Sequence, residues 1–247
     1  TTTRSYALRG NEFLPPNLDK NITPMSLFRV TEDTNFEGPH QSTQVLKGGV
    51  DASEADAAMI MIHGRGATAQ SILPLADEFD TNLKLTLRAP QASGNTWYPN
   101  SFMAPSENNE PGISSGLQQI FTIVEELKSE GFSEDQIYLL GFSQGACLVS
   151  EFVARHPKKY GGLIALSGGL IGEGTSIPAD NYSGDLSGTP VFMGCSDVDA
   201  HIPKERVNES AEVFSQLNAD VNKKLYPGMG HTVTHDEIEE INQLLNA

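Results

Sequence analysis

The residues best suited to chemistry lie in the pentapeptide Gly-Phe-Ser-Gln-Gly at 141–145, whose central residue is Ser143. An apolar run of strand type precedes it, and a sequence typical of a buried helix follows it. The chain must therefore reverse direction sharply at Ser143. Glycine on both sides tolerates the crowding of such a turn because it has no Cβ atom. The pattern indicates a nucleophile elbow, a turn that holds a serine hydroxyl above the end of a sheet.

A serine hydroxyl is a weak nucleophile at neutral pH, so Ser143 needs a base and a third group that orients the base. The segment after one predicted strand offers Asp197 and Asp199, and the segment after the next strand offers His231. All of these residues follow strands, and the carboxyl ends of parallel strands meet at one edge of a sheet. The chain order of nucleophile, acid and histidine predicts a Ser-His-Asp triad in which His231 is the base.

Two glycines just before His231 leave its side chain room to swing over the sheet edge, whereas His235 lies at the start of the last predicted helix. His231 is therefore favoured as the base. The remaining histidines are interpreted as structural hydrogen-bonding, surface or packing residues: His40, His63, His156 and His201.

A metal site is the alternative use of these side chains, assembled from His63, His201, His231 and Asp199. No pair of them has the spacing of metal ligands on one helix, and the serine would then have no role. We therefore expect no metal and no cofactor.

The elements that must position these residues alternate between strand and helix along the chain. Such alternation predicts a parallel sheet with right-handed crossovers and helices on both faces. The predicted strands are 57–62, 83–87, 136–140, 162–167, 190–193 and 223–226. The predicted helices are 68–79, 113–131, 146–156, 207–217 and 238–245, and a long irregular loop spans 91–112. We interpret 1–38 as an N-terminal extension and 39–247 as one catalytic domain, with one or two edge strands before residue 50.

The charge balance excludes some classes of partner. The 247 residues include 32 Asp and Glu against 16 Lys and Arg, a formal net charge of −16. This charge repels nucleic acid backbones, and no apolar stretch is long enough to span a bilayer. The two cysteines are too few for a disulfide framework, so both thiols are expected to be free. We predict a cytoplasmic protein without stable membrane insertion, and we leave a homodimer open.

The chain resembles the phospholipase/carboxylesterase family of α/β-hydrolases, which includes acyl-protein thioesterases and small bacterial carboxylesterases. The resemblance runs from about residue 38 to the C-terminus, and these motifs carry it: His63-Gly64-Arg65-Gly66, Arg88-Ala89-Pro90 with Trp97, Gly141-Phe142-Ser143-Gln144-Gly145, Asp199-Ala200-His201-Ile202-Pro203 and Gly230-His231. It implies an α/β-hydrolase fold with a mostly parallel central sheet and no large cap domain.

The resemblance also favours one of the two acids. In that family the acid precedes an aliphatic-proline pair, which here is Ile202-Pro203, so Asp199 is the expected triad acid. Asp197 stays the alternative, and its other role would be that of a turn residue.

Acyl transfer needs donors aimed at the developing oxyanion. The backbone N–H groups of Arg65 and Gln144 fit, because Gln144 opens a helix and Arg65 lies in the turn after the first buried strand. The side chain of Arg65 would then be free to cap the cleft. Residues expected to contact the substrate are Gly66, Trp97, Tyr98, Phe102 and Met103.

The absence of a large helical insertion in the sequence predicts a shallow, open cleft. We therefore expect a serine carboxylesterase that hydrolyses short- to medium-chain acyl esters through an acyl-enzyme. The alternatives are a lysophospholipase or acyl-protein thioesterase that acts on longer acyl chains, and a non-enzymatic binding protein of the hydrolase fold. The substrate would be a small-molecule ester or thioester.

Overall fold

The computed structural model describes residues 38–174 and 181–247. Within these residues seven strands form one sheet. They are β1 (Val45–Gly49), β2 (Ala57–Ile62), β3 (Leu85–Pro90), β4 (Ile137–Phe142), β5 (Gly162–Leu166), β6 (Pro190–Ser196) and β7 (Asp220–Tyr226). The spatial order is β1-β3-β2-β4-β5-β6-β7, and every neighbouring pair is parallel except β1 with β3. This architecture is the parallel sheet with crossovers that the alternating sequence pattern predicts.

Helices cover both faces of the sheet. They are α1 (Ala69–Ile72), α2 (Gly112–Ser129), α3 (Gln144–Arg155), α4 (Lys204–Gln216) and α5 (His235–Leu245). Apolar residues of α2, α3 and α4 belong to one core cluster, and those of α1 and α5 belong to a second cluster on the opposite face. Alternate residues of strand β2 point to opposite faces of the sheet. Ile60 and Ile62 belong to the first cluster, and Met59 and Met61 belong to the second. A strand buried on both faces explains why this segment reads as a continuous apolar run.

The segment predicted as one helix over 68–79 is instead broken in two. Thr68 caps a single turn of α-helix, α1, and residues Leu73–Glu78 continue as a 3-10 helix. Pro74 explains the break, because its ring nitrogen has no hydrogen to donate to the carbonyl of Gln70. The predicted helix is therefore right in position, and only its first turn is α-helical.

The strand predicted at 83–87 also differs, since β3 begins at Leu85 and continues to Pro90. The antiparallel edge strand β1 pairs with β3 along its length, with Val45 opposite Pro90, and so extends β3 past its predicted end. Residues 1–37 of the predicted extension lie outside the described residues, and its boundary with the catalytic domain stays a prediction.

Strand register places the chemical residues together. Ile62 of β2 pairs with Gly141 of β4, so the turn that contains Arg65 emerges beside Ser143. Ser196 of β6 pairs with Tyr226 of β7, so the segments that carry the aspartates and His231 also emerge side by side. All four segments lie at the carboxyl edge of the parallel strands, where open α/β sheets bind ligands.

Candidate active site

Ser143 lies on the turn between β4 and α3 with backbone angles φ 55° and ψ −119°. Positive φ is costly for a residue with a side chain and is typical of functional turns. Its N–H donates to the carbonyl of Leu166 in the neighbouring strand β5 at 2.9 Å, which ties the turn to the sheet. A Cβ atom on Gly141 would overlap the backbone carbonyl of Gly145, and one on Gly145 would overlap the carbonyl oxygen of Ile62. The two glycines are therefore required sterically, because strand and helix backbones touch at this point.

We expect Gly141→Ala to lower the free energy of unfolding by about 2–3 kcal/mol, because the added methyl group forces the elbow apart. Thermal denaturation measures this loss. Gly48→Ala is the matched control, since its Cβ would meet its nearest neighbour, Leu73 Cδ2, at an ordinary 3.4 Å. Equal melting temperatures for the two variants would contradict the steric account of the elbow.

A row of two hydrogen bonds joins Ser143, His231 and Asp199. The Ser143 hydroxyl lies 2.8 Å from His231 Nε2, and His231 Nδ1 lies 2.7 Å from Asp199 Oδ2. A carboxylate can only accept, so Nδ1 carries the proton and Nε2 is left with the lone pair that faces the serine. The imidazole is thus in the tautomer that can take the Ser143 proton.

Hydrogen bonds hold Asp199 in its ionised form. Its other oxygen, Oδ1, accepts the backbone N–H groups of His201 at 2.8 Å and Ile202 at 3.0 Å. Burial acts to raise the pKa of this carboxyl, but the hydrogen bond from His231 and the two backbone donors outweigh it and lower the pKa. Asp197 takes no part in the row: its Oδ1 accepts the N–H of Gly228 at 2.8 Å and so joins the two loops that carry the acid and the histidine.

Two rings flank the His231 imidazole. The Phe142 ring centroid lies 5.0 Å away, and the His201 ring contacts it in a T-shaped arrangement at 4.9 Å. The structure places His201 in the wall of the pocket beside His231, which our interpretation as a surface or packing residue did not anticipate. The backbone N–H of His201 donates to Asp199 Oδ1, and the turn made by this hydrogen bond brings the His201 ring to the pocket. Residue type alone does not encode that turn.

The backbone N–H groups of Arg65 and Gln144 have no acceptor among the described residues. Gln144 is the first residue of α3, where free amides and the helix dipole both favour negative charge. The turn that contains Arg65 is fixed by His63: Ala92 N–H donates to its Nε2 at 3.1 Å, and its Nδ1 therefore donates to the carbonyl of Gly64 at 2.8 Å. Burial lowers the pKa of His63, so the ring is a neutral structural element.

Both candidate oxyanion residues also hold the loop after β3 through their side chains. Gln144 Oε1 accepts the N–H of Trp97 at 2.9 Å, and its Nε2 donates to the carbonyl of Tyr98 at 2.8 Å. The Arg65 guanidinium donates to the carbonyls of Pro99 at 2.8 Å and Asn100 at 2.6 Å. The Arg65 side chain is thus attached to the loop and is not the free cap that we expected.

A pocket of about 480 Å³ opens beside Ser143. Its lining residues come from the Arg65 turn, the loop after β3, the elbow, and the segments that carry His201 and His231. They are Arg65, Tyr98, Pro99, Asn100, Ser101, Phe102, Ser143, Gln144, Cys147, His201, Ile202 and His231. Of the predicted substrate contacts, Tyr98 and Phe102 line this pocket.

The other three predicted contacts lie elsewhere. Trp97 is 0% exposed, and its indole N–H donates to the carbonyl of His63 at 2.9 Å. Its side chain therefore attaches the loop after β3 to the end of β2. Met103 packs against the core, and the N–H of Gly66 donates to the carbonyl of Asn95 at 2.7 Å. Neither of these two residues lines the pocket.

Both cysteines are free and buried, and burial raises the pKa of Cys147 to about 11 and that of Cys195 to about 12. Among the described residues no group of three His, Cys, Asp or Glu side chains is arranged to hold a metal ion. The alternative metal site also loses His63, whose two ring nitrogens are both engaged by backbone groups. Nor is any helix in the described ranges long and apolar enough for a bilayer crossing.

A mostly parallel sheet with a serine on a strand-to-helix elbow, and an acid and a histidine after later strands, defines the class of α/β-hydrolases. A family model described as Phospholipase/Carboxylesterase matches residues 49–247. The chain belongs to the phospholipase/carboxylesterase family. The resemblance and the fold class drawn from the sequence are thereby confirmed, as is the prediction of an enzyme of the ester-hydrolase kind. The described residues hold no large cap.

Individual relatives agree with the family. A solved structure of a phospholipase/carboxylesterase from Dyadobacter fermentans is 42% identical with a TM-score of 0.79, and the match covers 83% of this chain and 96% of that one. Acyl-protein thioesterase 1 of Gibberella zeae is 27% identical over 78% of this chain and 91% of its own length. Acyl-protein thioesterase 1 of Kluyveromyces lactis is 35% identical over 55% of this chain, and the match spans 60% of that protein.

Proposed function

We propose that the chain is a serine carboxylesterase that hydrolyses short- to medium-chain acyl esters through an acyl-enzyme. The observation that carries the proposal is the row of hydrogen bonds from Ser143 through His231 to Asp199, with the imidazole in the productive tautomer. Family membership supports the same chemistry, since the matching model bears the description Phospholipase/Carboxylesterase.

In this mechanism His231 Nε2 takes the hydroxyl proton as the Ser143 oxygen attacks the ester carbonyl. Asp199 keeps the ring oriented and balances the imidazolium that forms. His231 then gives the proton to the departing alcohol, and water, activated by the same nitrogen, resolves the acyl-enzyme. The reaction releases one acid and one alcohol and regenerates the free serine.

Charge develops on the carbonyl oxygen during both attacks, and the free N–H groups of Arg65 and Gln144 are the donors we assign to it. Each such donor is worth about 3–4 kcal/mol of barrier in enzymes of this kind. The support is their freedom from other acceptors and the position of Gln144 at the start of α3.

The size of the pocket supports shorter acyl groups. Its volume is about 480 Å³, and Phe102, Cys147 and Ile202 are buried side chains in its lining. Rates of hydrolysis across p-nitrophenyl esters with acyl chains of two to sixteen carbons test the preference. We expect kcat/KM to be highest for the short and medium chains and to fall for the longest, and a steady rise to the longest chain would overturn it.

Thioester hydrolysis on longer acyl chains is the second candidate, because the Gibberella zeae and Kluyveromyces lactis relatives are named acyl-protein thioesterases. The same triad would attack a thioester. The preferred acyl-chain length, measured in parallel on oxygen esters and on thioesters, therefore separates the two functions.

A non-enzymatic binding role would be favoured if a fluorophosphonate failed to label Ser143 in folded protein. A cytoplasmic location stays a prediction.

A further inference from the structure

Arg65 differs from every other arginine in the described part of the chain. Arg88, Arg155 and Arg206 each form an ion pair with a glutamate, namely Glu130, Glu151 and Glu209. Arg65 forms no ion pair within the described residues. This is notable in a protein with twice as many acidic as basic side chains, where a carboxylate partner is easy to supply.

Support of a loop does not by itself explain this missing partner. Arg206 has the same kind of structural task, because its guanidinium donates to the carbonyls of Leu170, Gly172 and Gly174. Arg206 nevertheless forms an ion pair with Glu209, in which its Nε lies 3.3 Å from Oε2, and its side chain is only 1% exposed. Arg65 holds its loop through two carbonyls but is exposed to solvent, so its charge is left available.

The pocket offers Arg65 no acidic neighbour. None of the described side chains that line it is Asp or Glu, and Arg65 is its single permanently charged residue. A guanidinium has five N–H donors, and the loop carbonyls of Pro99 and Asn100 take two of them. The other three have no acceptor among the described residues, and Arg65 lines the pocket with its guanidinium carbon 5.9 Å from the centroid of the Tyr98 ring.

We propose that Arg65 binds a carboxylate of the substrate, so that the preferred esters are anionic and carry this group on either the acyl or the alcohol part. The inference rests on the proposed esterase function and adds a substrate class to it. The planar fork of arginine matches a carboxylate, and charge-assisted hydrogen bonds of this kind are the strong ones. A local cation also offsets the repulsion that a net charge of −16 exerts on an anionic substrate.

Two matched pairs of esters test the proposal and locate the anion. On the acyl side, the mono-p-nitrophenyl ester of hexanedioic acid is compared with p-nitrophenyl hexanoate. On the alcohol side, p-acetoxybenzoate is compared with its methyl ester.

The variants are Arg65→Gln, which removes the charge but keeps an amide donor for the loop, and Arg65→Lys, which keeps the charge. Lys84→Gln is the control, because it removes one positive charge just before β3, at the opposite end of that strand from the pocket.

We expect Arg65→Gln to lower kcat/KM for the acid-bearing member of at least one pair about tenfold, mainly through KM. The loss on the neutral member measures the weaker hold on the loop, so the ratio of kcat/KM between the acid-bearing and the neutral member should fall about tenfold. Arg65→Lys should retain part of this preference, and Lys84→Gln should leave it intact. An equal loss on neutral and acid-bearing esters would show that Arg65 only supports the loop, and would overturn the inference while leaving the esterase function standing. If the wild-type protein hydrolysed none of the four esters, the proposed function would fail and the inference with it.

Discussion

Replacing Ser143 with alanine should lower kcat for p-nitrophenyl esters about a millionfold, because the reaction loses its proposed nucleophile and not merely a binding contact. The side chain of Ser143 makes one hydrogen bond, to His231 Nε2, and alanine keeps the Cβ atom that the strained turn already accommodates. The variant should therefore fold normally. Steady-state kinetics and thermal denaturation on the same preparation separate the loss of chemistry from a loss of fold.

Ser150→Ala is the matched control for this prediction. Ser150 lies on the same helix, α3, is fully buried, and its hydroxyl has no hydrogen-bond partner among the described residues. Removing an unpaired buried hydroxyl is expected to be neutral or mildly stabilising. A fluorophosphonate should label the wild type and Ser150→Ala but not Ser143→Ala. Activity of Ser143→Ala within tenfold of the wild type would mean that another residue performs the attack.

The elbow could be predicted from the sequence because the sharp reversal at Ser143 is local. Only Ser143 separates β4 from α3, so a Cβ atom on Gly141 would overlap Gly145. The second contact is not local, because a Cβ atom on Gly145 would overlap Ile62 of β2. The positions of the buried strands along the chain could be predicted for a similar reason, since β2, β4 and β5 are apolar on both faces. Local sterics and continuous apolar runs leave a signal in the sequence that needs no knowledge of distant contacts.

The lining of the pocket could not be predicted in the same way, because distant residues set the path of the loop after β3. Trp97 is held by Gln144, and its carbonyl accepts the Nε2–H of His40, which is 57 positions away in the chain. These contacts turn the indole into the core and leave Tyr98 and Phe102 at the pocket. A pattern of aromatic residues in a loop gives their number but not the side on which each one lies.

Histidine side chains illustrate the same limit. The sequence favoured His231 because two glycines precede it, and the structure places its ring between Ser143 and Asp199. No comparable sequence signal exists for His201, whose ring reaches the pocket because the turn at Asp199 directs it there. The choice between Asp197 and Asp199 likewise depended on the family spacing and not on residue type, since both carboxylates accept backbone hydrogen bonds.

Ionisation of Asp199 has a consequence for stability as well as for chemistry. Its pKa is lowered in the folded protein, so its contribution to stability is present above the pKa of the unfolded chain, about 3.9, and is lost as the pH falls through the lower folded value. The difference in unfolding free energy between the wild type and Asp199→Asn should therefore shrink as the pH falls below about 4. Denaturant unfolding at a series of pH values measures this difference.

Asp199→Asn should lower kcat about ten-thousandfold, and the hydrogen bonds around the carboxyl explain why the loss is so large. One oxygen of Asp199 accepts the N–H groups of His201 and Ile202, so the amide oxygen of asparagine must occupy that position. The amide nitrogen then faces His231 Nδ1 as a donor. The imidazole must accept there, its proton moves to Nε2, and the nitrogen that faces Ser143 can no longer take the hydroxyl proton.

Asp197→Asn is the control for this prediction, because an asparagine oxygen can still accept the N–H of Gly228, and its kcat should stay within severalfold of the wild type. The two substitutions are chemically identical, lie two residues apart, and differ in whether the carboxylate meets the imidazole. If both variants lost activity to the same extent, the effect would stem from the loop and not from the tautomer of His231, and Asp199 would lose its assigned role.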